Sequence, residues 1–117
     1  MKALVIDDEA DILMMAQMAL EMEGWEVATA STPSEGLALA SSGGFDVVLL
    51  DLTFPDADGW EVLSSLQAVC STPVLLVSGK ISAATLHQHG DIQVAGVIEK
   101  PFDVMTLAGE VASRLQG

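Results

Sequence analysis

Apolar residues fall into four short continuous runs along the chain, at 3–6, 47–50, 74–77 and 94–98, in which Val, Leu, Ile and Ala predominate. Runs that are continuous rather than alternating predict strands buried on both faces, as in a parallel sheet. A fifth run at 25–30 is less apolar and suits an edge strand. Between the runs, the spacing predicts helices over 10–23, 34–41, 60–69, 82–89 and 104–115, the segment at 82–89 having few large apolar residues. Strand and helix therefore alternate five times, which predicts an α/β fold with a doubly wound parallel sheet and helices on both faces.

Local punctuation agrees. In Thr32-Pro33-Ser34-Glu35 a cap residue precedes Pro at the first helical position and Glu at the third, a capping box for the second helix. Gly24, Gly43-Gly44 and Gly90 stand where the first, second and fourth helices should end. No linker, repeat or low-complexity tract interrupts the pattern. With 117 residues, half of them apolar, a single domain over 1–117 with its own core is expected.

Charge narrows the partners. Four Lys and Arg against 17 Asp and Glu give a formal charge of −13, so phosphate backbones and anionic lipid are repelled. Nucleic acid and membrane surfaces are not expected partners of this chain. Cys70 is the sole cysteine and cannot form an internal disulfide, which fits a reducing compartment. Asp7 and Asp8 end the first apolar run before it reaches the length of a signal-peptide core, and no run approaches the roughly 20 residues of a membrane span. A cytoplasmic location is expected.

Doubly wound sheets place their sites at the carboxyl ends of the strands. The residues at the ends of the apolar runs are Asp7, Asp8 and Glu9; Asp51; Ser78; and, two positions past the last run, Lys100 followed by Pro101. Asp and Ser are common there for capping reasons alone. Capping does not account for an acid cluster, an acid, a hydroxyl and an amine at four strand ends of one sheet. Converging carboxylates repel one another unless a cation lies between them, and an all-oxygen set with few protein ligands suits Mg²⁺. A carboxylate beside Mg²⁺ can attack a phosphoryl group to give an acyl phosphate, with the metal and an ammonium neutralising the equatorial oxygens. Asp51 is the candidate nucleophile.

Asp7-Asp8-Glu9, the stretch Asp51-Leu52-Thr53-Phe54-Pro55-Asp56-Ala57-Asp58-Gly59, Ser78-Gly79 and Lys100-Pro101-Phe102 together resemble the response-regulator receiver domain of two-component signalling, in order and spacing, over essentially the whole chain. The resemblance implies a flavodoxin-like fold with strand order 2-1-3-4-5. It also implies that Asp51 takes phosphate from a histidine kinase or histidine phosphotransfer protein, and that the chain signals through protein contact rather than as an enzyme. Asp8, Asp51 and the Thr53 carbonyl would ligate Mg²⁺, with Asp7 acting mostly through water. Ser78 would be the switch hydroxyl and Lys100 the amine that pairs with the phosphoryl group.

The sequence departs from the family pattern in places. Three residues before the motif lysine, where the family usually has an aromatic ring that turns inward, stands Val97, which is stiff at χ1 and has no ring to swing. Readout then runs either through the loop after Ser78 or through phosphate transfer itself. Thr53 and Lys80 occupy the positions that flank the path of attacking water; Lys80 either contacts phosphate or is a solvated loop lysine.

At about 100° per residue, Ile12, Leu13, Ala16, Ala19 and Leu20 form one face of the first helix, and Met14, Met15, Met18 and Met22 cluster on another. Flexible thioethers away from the core face suit an adaptable docking surface, and in the receiver family the phosphodonor's helices dock on this helix; the alternative is that these Met residues merely cover surface or widen the core face. Trp25, Phe45, Trp60 and Phe102 read as packing or boundary residues, and His87 and His89 are spaced for different helix faces. Two rival functions remain. One is a receiver-shaped interaction module that works without phosphate, for which Val97 is the support. The other is an aspartate-nucleophile phosphatase, weakened because Thr53 stands where its second acid belongs.

Overall fold

A computed structural model describes residues 1–55, 57–79, 94–100 and 102–116. In chain order these form β1 (Lys2–Ile6), α1 (Ala10–Glu21), β2 (Glu26–Ala30), α2 (Pro33–Ser42), β3 (Val47–Asp51), β4 (Thr53–Phe54), β5 (Ala57–Asp58), α3 (Gly59–Val69), β6 (Val74–Ser78), β7 (Gly96–Glu99) and α4 (Leu107–Gln116). Five strands build one sheet in the order β2-β1-β3-β6-β7, every neighbouring pair parallel. Counting only the five expected strands, this is the order 2-1-3-4-5. The less apolar strand, β2, lies at an edge as expected. The helix expected at 82–89, with Gly90, lies outside the described residues.

The continuous apolar runs are explained by burial on two sides. In β1, Ala3 and Val5 join a core cluster with Ala16, Ala19 and Leu20 of α1 and Leu107 and Val111 of α4. Leu4 and Ile6, pointing the other way, join a second cluster with Ala40 of α2 and Val62, Leu63 and Leu66 of α3. All five residues of β3 and of β6 are buried, leaving no polar face to alternate with.

Helix ends follow the chemistry of their residues. Thr32 Oγ1 accepts from the Glu35 N–H at 3.2 Å, and Glu35 Oε1 accepts from the Ser31 N–H at 3.0 Å, so the return bond lands one residue before the cap. After α1, Gly24 takes φ +84°, a conformation that favours glycine, and the Trp25 N–H returns to the Leu20 carbonyl at 3.2 Å. The last helix begins at Leu107 instead of 104. Asp103 makes the difference: its side chain accepts from the Met105 N–H at 2.8 Å and its carbonyl from Leu107 at 3.0 Å, turning the chain before the helix starts. The two-residue strands β4 and β5 pair antiparallel just after β3, a feature that period-based reading passes over because each is too short to show a period.

Candidate functional site

The site lies past the carboxyl ends of β1, β3, β6 and β7, where the strand order reverses around β1 and β3. Ile6 pairs with Leu50, so the next residues, Asp7 and Asp51, continue that register side by side at the sheet edge. Because Leu50 faces α2 and α3, alternation turns Asp51 to the α1 and α4 side. Ser78 ends β6, and its carbonyl accepts from the Lys100 N–H at 2.9 Å, which brings the lysine into the same cluster. Asp7 and Asp51 are each 2% exposed and Ser78 is 5% exposed, whereas Asp8 and Glu9 are exposed.

Lys100 Nζ lies 2.8 Å from Asp7 Oδ2, 3.5 Å from Asp51 Oδ1 and 3.6 Å from Glu9 Oε1. Asp7 also accepts the Glu9 N–H on Oδ1 at 2.9 Å, so both its oxygens are engaged. Burial pulls the Lys100 ammonium toward its neutral form, but the hydrogen bond to Asp7 and the charges of Asp7, Asp51 and Glu9 outweigh that and hold its pKa above the ordinary 10.5. Beneath the two buried acids, Val5, Ile12, Ala16, Leu49, Val77, Phe102 and Leu107 line a cavity of only about 10 Å³, so the carboxylates stand on an apolar floor.

One carboxylate oxygen from each of Asp7, Asp8, Glu9 and Asp51 fits within a mutual distance of 4.8 Å. Among the described residues one ammonium, Lys100, pairs with this cluster, and it offsets one of the four charges. A hard, all-oxygen set with excess negative charge fits a divalent cation such as Mg²⁺. Thr53 is the first residue of β4, two positions after Asp51.

The loop after Asp51 is fixed by close approach. A Cβ on Gly59 would lie 2.2 Å from the Leu52 carbonyl oxygen and 2.5 Å from Leu52 Cα, so only glycine lets the start of α3 pass this close to the residue after Asp51. Asp58 caps α3, its Oδ1 accepting from the Trp60 N–H at 2.9 Å. Neither Gly59 nor a contact of Glu9 with Lys100 follows from the strand-end pattern. A glycine directly after a capping Asp, and an acid directly before the first helix, were the available signals.

The residues placed together are thus Asp7, Asp8, Asp51 and Lys100, with Ser78 at the end of the adjacent strand. Val97 is half-buried against the cluster under α2 and α3. Lys80, His87, His89 and Pro101 lie outside the described residues. On α1, Met14, Met18 and Met22 are 56%, 53% and 61% exposed, but Met15 packs half-buried against the α1 side of the core. The expected four-methionine surface is therefore a three-residue stripe at i, i+4 and i+8; position 15 adjoins Ala16 and Ala19 on the inward face. Trp25, Phe45, Trp60 and Phe102 all pack against the core clusters, as expected.

Residues 3–112 match the family model of the response regulator receiver domain. The chain is 32% identical over 115 residues to the nisin biosynthesis regulatory protein NisR of Lactococcus lactis, covering 98% of this chain and 50% of that protein. It is 37% identical over 99 residues to the transcriptional regulatory protein KdpE of Mycobacterium tuberculosis, covering 85% of this chain and 44% of that protein. The chain thus spans about half the length of these relatives. Among solved structures, a CheY-like receiver domain protein of Methanospirillum hungatei superposes with TM-score 0.87 at 28% identity, covering 98% of this chain and 93% of that one. The chemotaxis protein CheY4 of Vibrio cholerae gives TM-score 0.86 at 30% identity over 96% of both chains. Fold, strand-end residues and relatives agree, and the chain belongs to the receiver-domain family of two-component response regulators.

Proposed function

We propose that this receiver takes a phosphoryl group onto Asp51 from a phosphohistidine donor, in a Mg²⁺-dependent reaction, and signals through protein contact. The observation that carries the reading is the setting of Asp51: a 2% exposed carboxylate with the Lys100 ammonium 3.5 Å away and acid oxygens of Asp7, Asp8 and Glu9 within 4.8 Å. An Asp51 oxygen attacks phosphorus, the bond from phosphorus to the donor's imidazole nitrogen breaks, and an acyl phosphate forms.

Asp8, Asp51 and the Thr53 carbonyl would hold Mg²⁺. When bound, the ion neutralises charge on the donor's phosphoryl oxygens. Asp7 has both oxygens occupied by Lys100 and the Glu9 N–H, which suits a role through water and as the anchor of Lys100. Once phosphate is on Asp51, Lys100 donates to one phosphoryl oxygen and the Ser78 hydroxyl donates to another, so Ser78 senses occupancy from β6. Phosphodonor proteins, a histidine kinase or a histidine phosphotransfer protein, would dock on α1 along Met14, Met18 and Met22. Cytoplasmic residence follows from this reading, and no helix among the described residues is long and apolar enough to cross a membrane.

Val97 favours a second reading, a receiver-shaped module that acts without phosphate, because no ring stands at that position to report occupancy. Incubation with Mg²⁺ and acetyl phosphate, or with beryllofluoride, decides between them. The wild type should be modified or bind the analogue and Asp51→Asn should not; absence of both in the wild type would overturn the phosphoacceptor reading and favour the module.

A further inference from the structure

Glu9 is given neither a ligand nor a transfer role in the reading above, yet its carboxylate lies in the same acid cluster. It is the residue before α1, in the N-cap position, but its side chain makes no capping bond. Instead Oε1 lies 3.6 Å from Lys100 Nζ, with the side chain 61% exposed. Its backbone N–H donates to Asp7 Oδ1 at 2.9 Å, which fixes the residue beside the cluster whatever its side chain does.

We infer that Glu9 is a charge gate over Asp51, one that disfavours small anionic phosphodonors and leaves the site to donors delivered on a protein surface. The inference rests on Asp51 being the phosphoacceptor. Two effects act in the same direction. A carboxylate oxygen within 4.8 Å of the Asp51 carboxylate repels an incoming phosphoryl dianion. The same carboxylate competes for the Lys100 ammonium, which the transferring phosphoryl group needs. Asp8 is also exposed, but it is a proposed metal ligand, whereas the proposed ligand set leaves Glu9 out; among the described residues the cation near Glu9 is Lys100, which it shares with Asp7 and Asp51. A docked protein offsets the repulsion with contacts spread over its interface. A small donor brings little besides its own charge.

Glu9→Gln is a clean probe, since it keeps the side-chain shape and the backbone bond to Asp7 and removes no helix cap. Initial phosphorylation rates are measured with acetyl phosphate, a dianion, and with phosphoramidate, which carries less net negative charge at neutral pH, at Mg²⁺ saturating for each variant. For acetyl phosphate at low ionic strength, Glu9→Gln should react about three- to tenfold faster than wild type, and Glu9→Lys faster still. The advantage should shrink toward parity at about 1 M salt, where the Debye length falls to roughly 3 Å, and should be smaller for phosphoramidate throughout. Equal rates in wild type and Glu9→Gln, a gain that ignores salt, or an equal gain with both donors would each overturn the gate. A wild type that neither donor phosphorylates would instead overturn the role of Asp51 on which the gate rests.

Discussion

Lys100 bonds Asp7 at 2.8 Å and stands 3.5 Å from Asp51. The ammonium is therefore parked on the neighbour of the proposed phosphoacceptor, within a short side-chain shift of it. Parking has a physical basis: Asp7 and Asp51 are both 2% exposed on adjacent strands, and two buried carboxylates that close together are tolerated only with a cation between them. The same lysine that would pair with phosphate on Asp51 thus holds the acid pair together in its absence.

Alkaline unfolding should expose this pairing. The folded-state pKa of Lys100 is raised above 10.5, so its contribution to stability is fully present below that ordinary value and is lost as pH rises through the higher folded value. The chain has no Tyr, which removes the side chain that usually obscures this range. Urea unfolding from about pH 9 to about pH 11.5 should show wild type losing stability relative to Lys100→Met above about pH 10.5. Parallel pH profiles for the two would show that the ammonium contributes nothing specific.

Excess carboxylate charge gives a second prediction, for Asp8. This acid is exposed and pairs with no cation in the cluster, while its oxygen lies within 4.8 Å of three other carboxylates. In chelator, Asp8→Asn should be more stable than wild type by about 0.5–1 kcal/mol, because one like charge is gone. With Mg²⁺ at about a hundred times its dissociation constant, wild type should gain about 2.7 kcal/mol and Asp8→Asn much less. Thermal unfolding with and without Mg²⁺ measures both; equal Mg²⁺ gains in the two proteins would remove Asp8 from the metal site.

Much of this site was legible from the chain because strand ends in a parallel sheet converge. Asp7, Asp51, Ser78 and Lys100 each follow a continuous apolar run, and parallel register then sets them along one edge. What escaped was whatever depends on three-dimensional approach rather than on period. Gly59 is required by the Leu52 backbone seven residues earlier, Glu9 matters because Lys100 reaches it from 91 residues away, and Asp103 delays α4 through a turn. Met15 follows the alternative reading, in which a methionine widens the core face. Wheel angles assign it to the methionine face, but the core that receives α1 is wide enough to take it as well.

The two close-packed glycines should respond differently to alanine. At Gly59 the obstacle is the backbone of Leu52, 2.2 to 2.7 Å from the added carbon, and a backbone beside Asp51 cannot yield without moving the site. Gly59→Ala should cost about 3 kcal/mol or more and impair Mg²⁺ binding. At Gly36 the obstacle is the Ile6 side chain, Cδ1 at 2.6 Å and Cγ1 at 2.9 Å, rather than backbone, and alanine recovers about 1 kcal/mol of helix propensity inside α2. Gly36→Ala should therefore cost no more than about 1–2 kcal/mol, with Mg²⁺ binding unchanged. Chemical denaturation and metal titration of both variants test the ranking, and a reversed order would show that the backbone at Leu52 adapts more readily than Ile6.

The methionine stripe on α1 can be separated from the fold by the one methionine that left it. Met14 and Met18 are more than half exposed, so changing both to Gln should shift stability by no more than about 0.5 kcal/mol. Met15 packs half-buried against the core, and Met15→Gln should cost about 1–3 kcal/mol by placing an amide there. If donors dock on the stripe, the Met14→Gln, Met18→Gln double variant should accept phosphate more slowly from a phosphorylated histidine phosphotransfer protein and at the wild-type rate from acetyl phosphate. Loss limited to the protein donor isolates docking, because on the proposed reading small-donor chemistry would need Asp51, Lys100 and Mg²⁺ but no partner on α1. Equal slowing with both donors would trace the effect to the site, through the turn that joins α1 to Asp7, and would leave the methionines as surface cover.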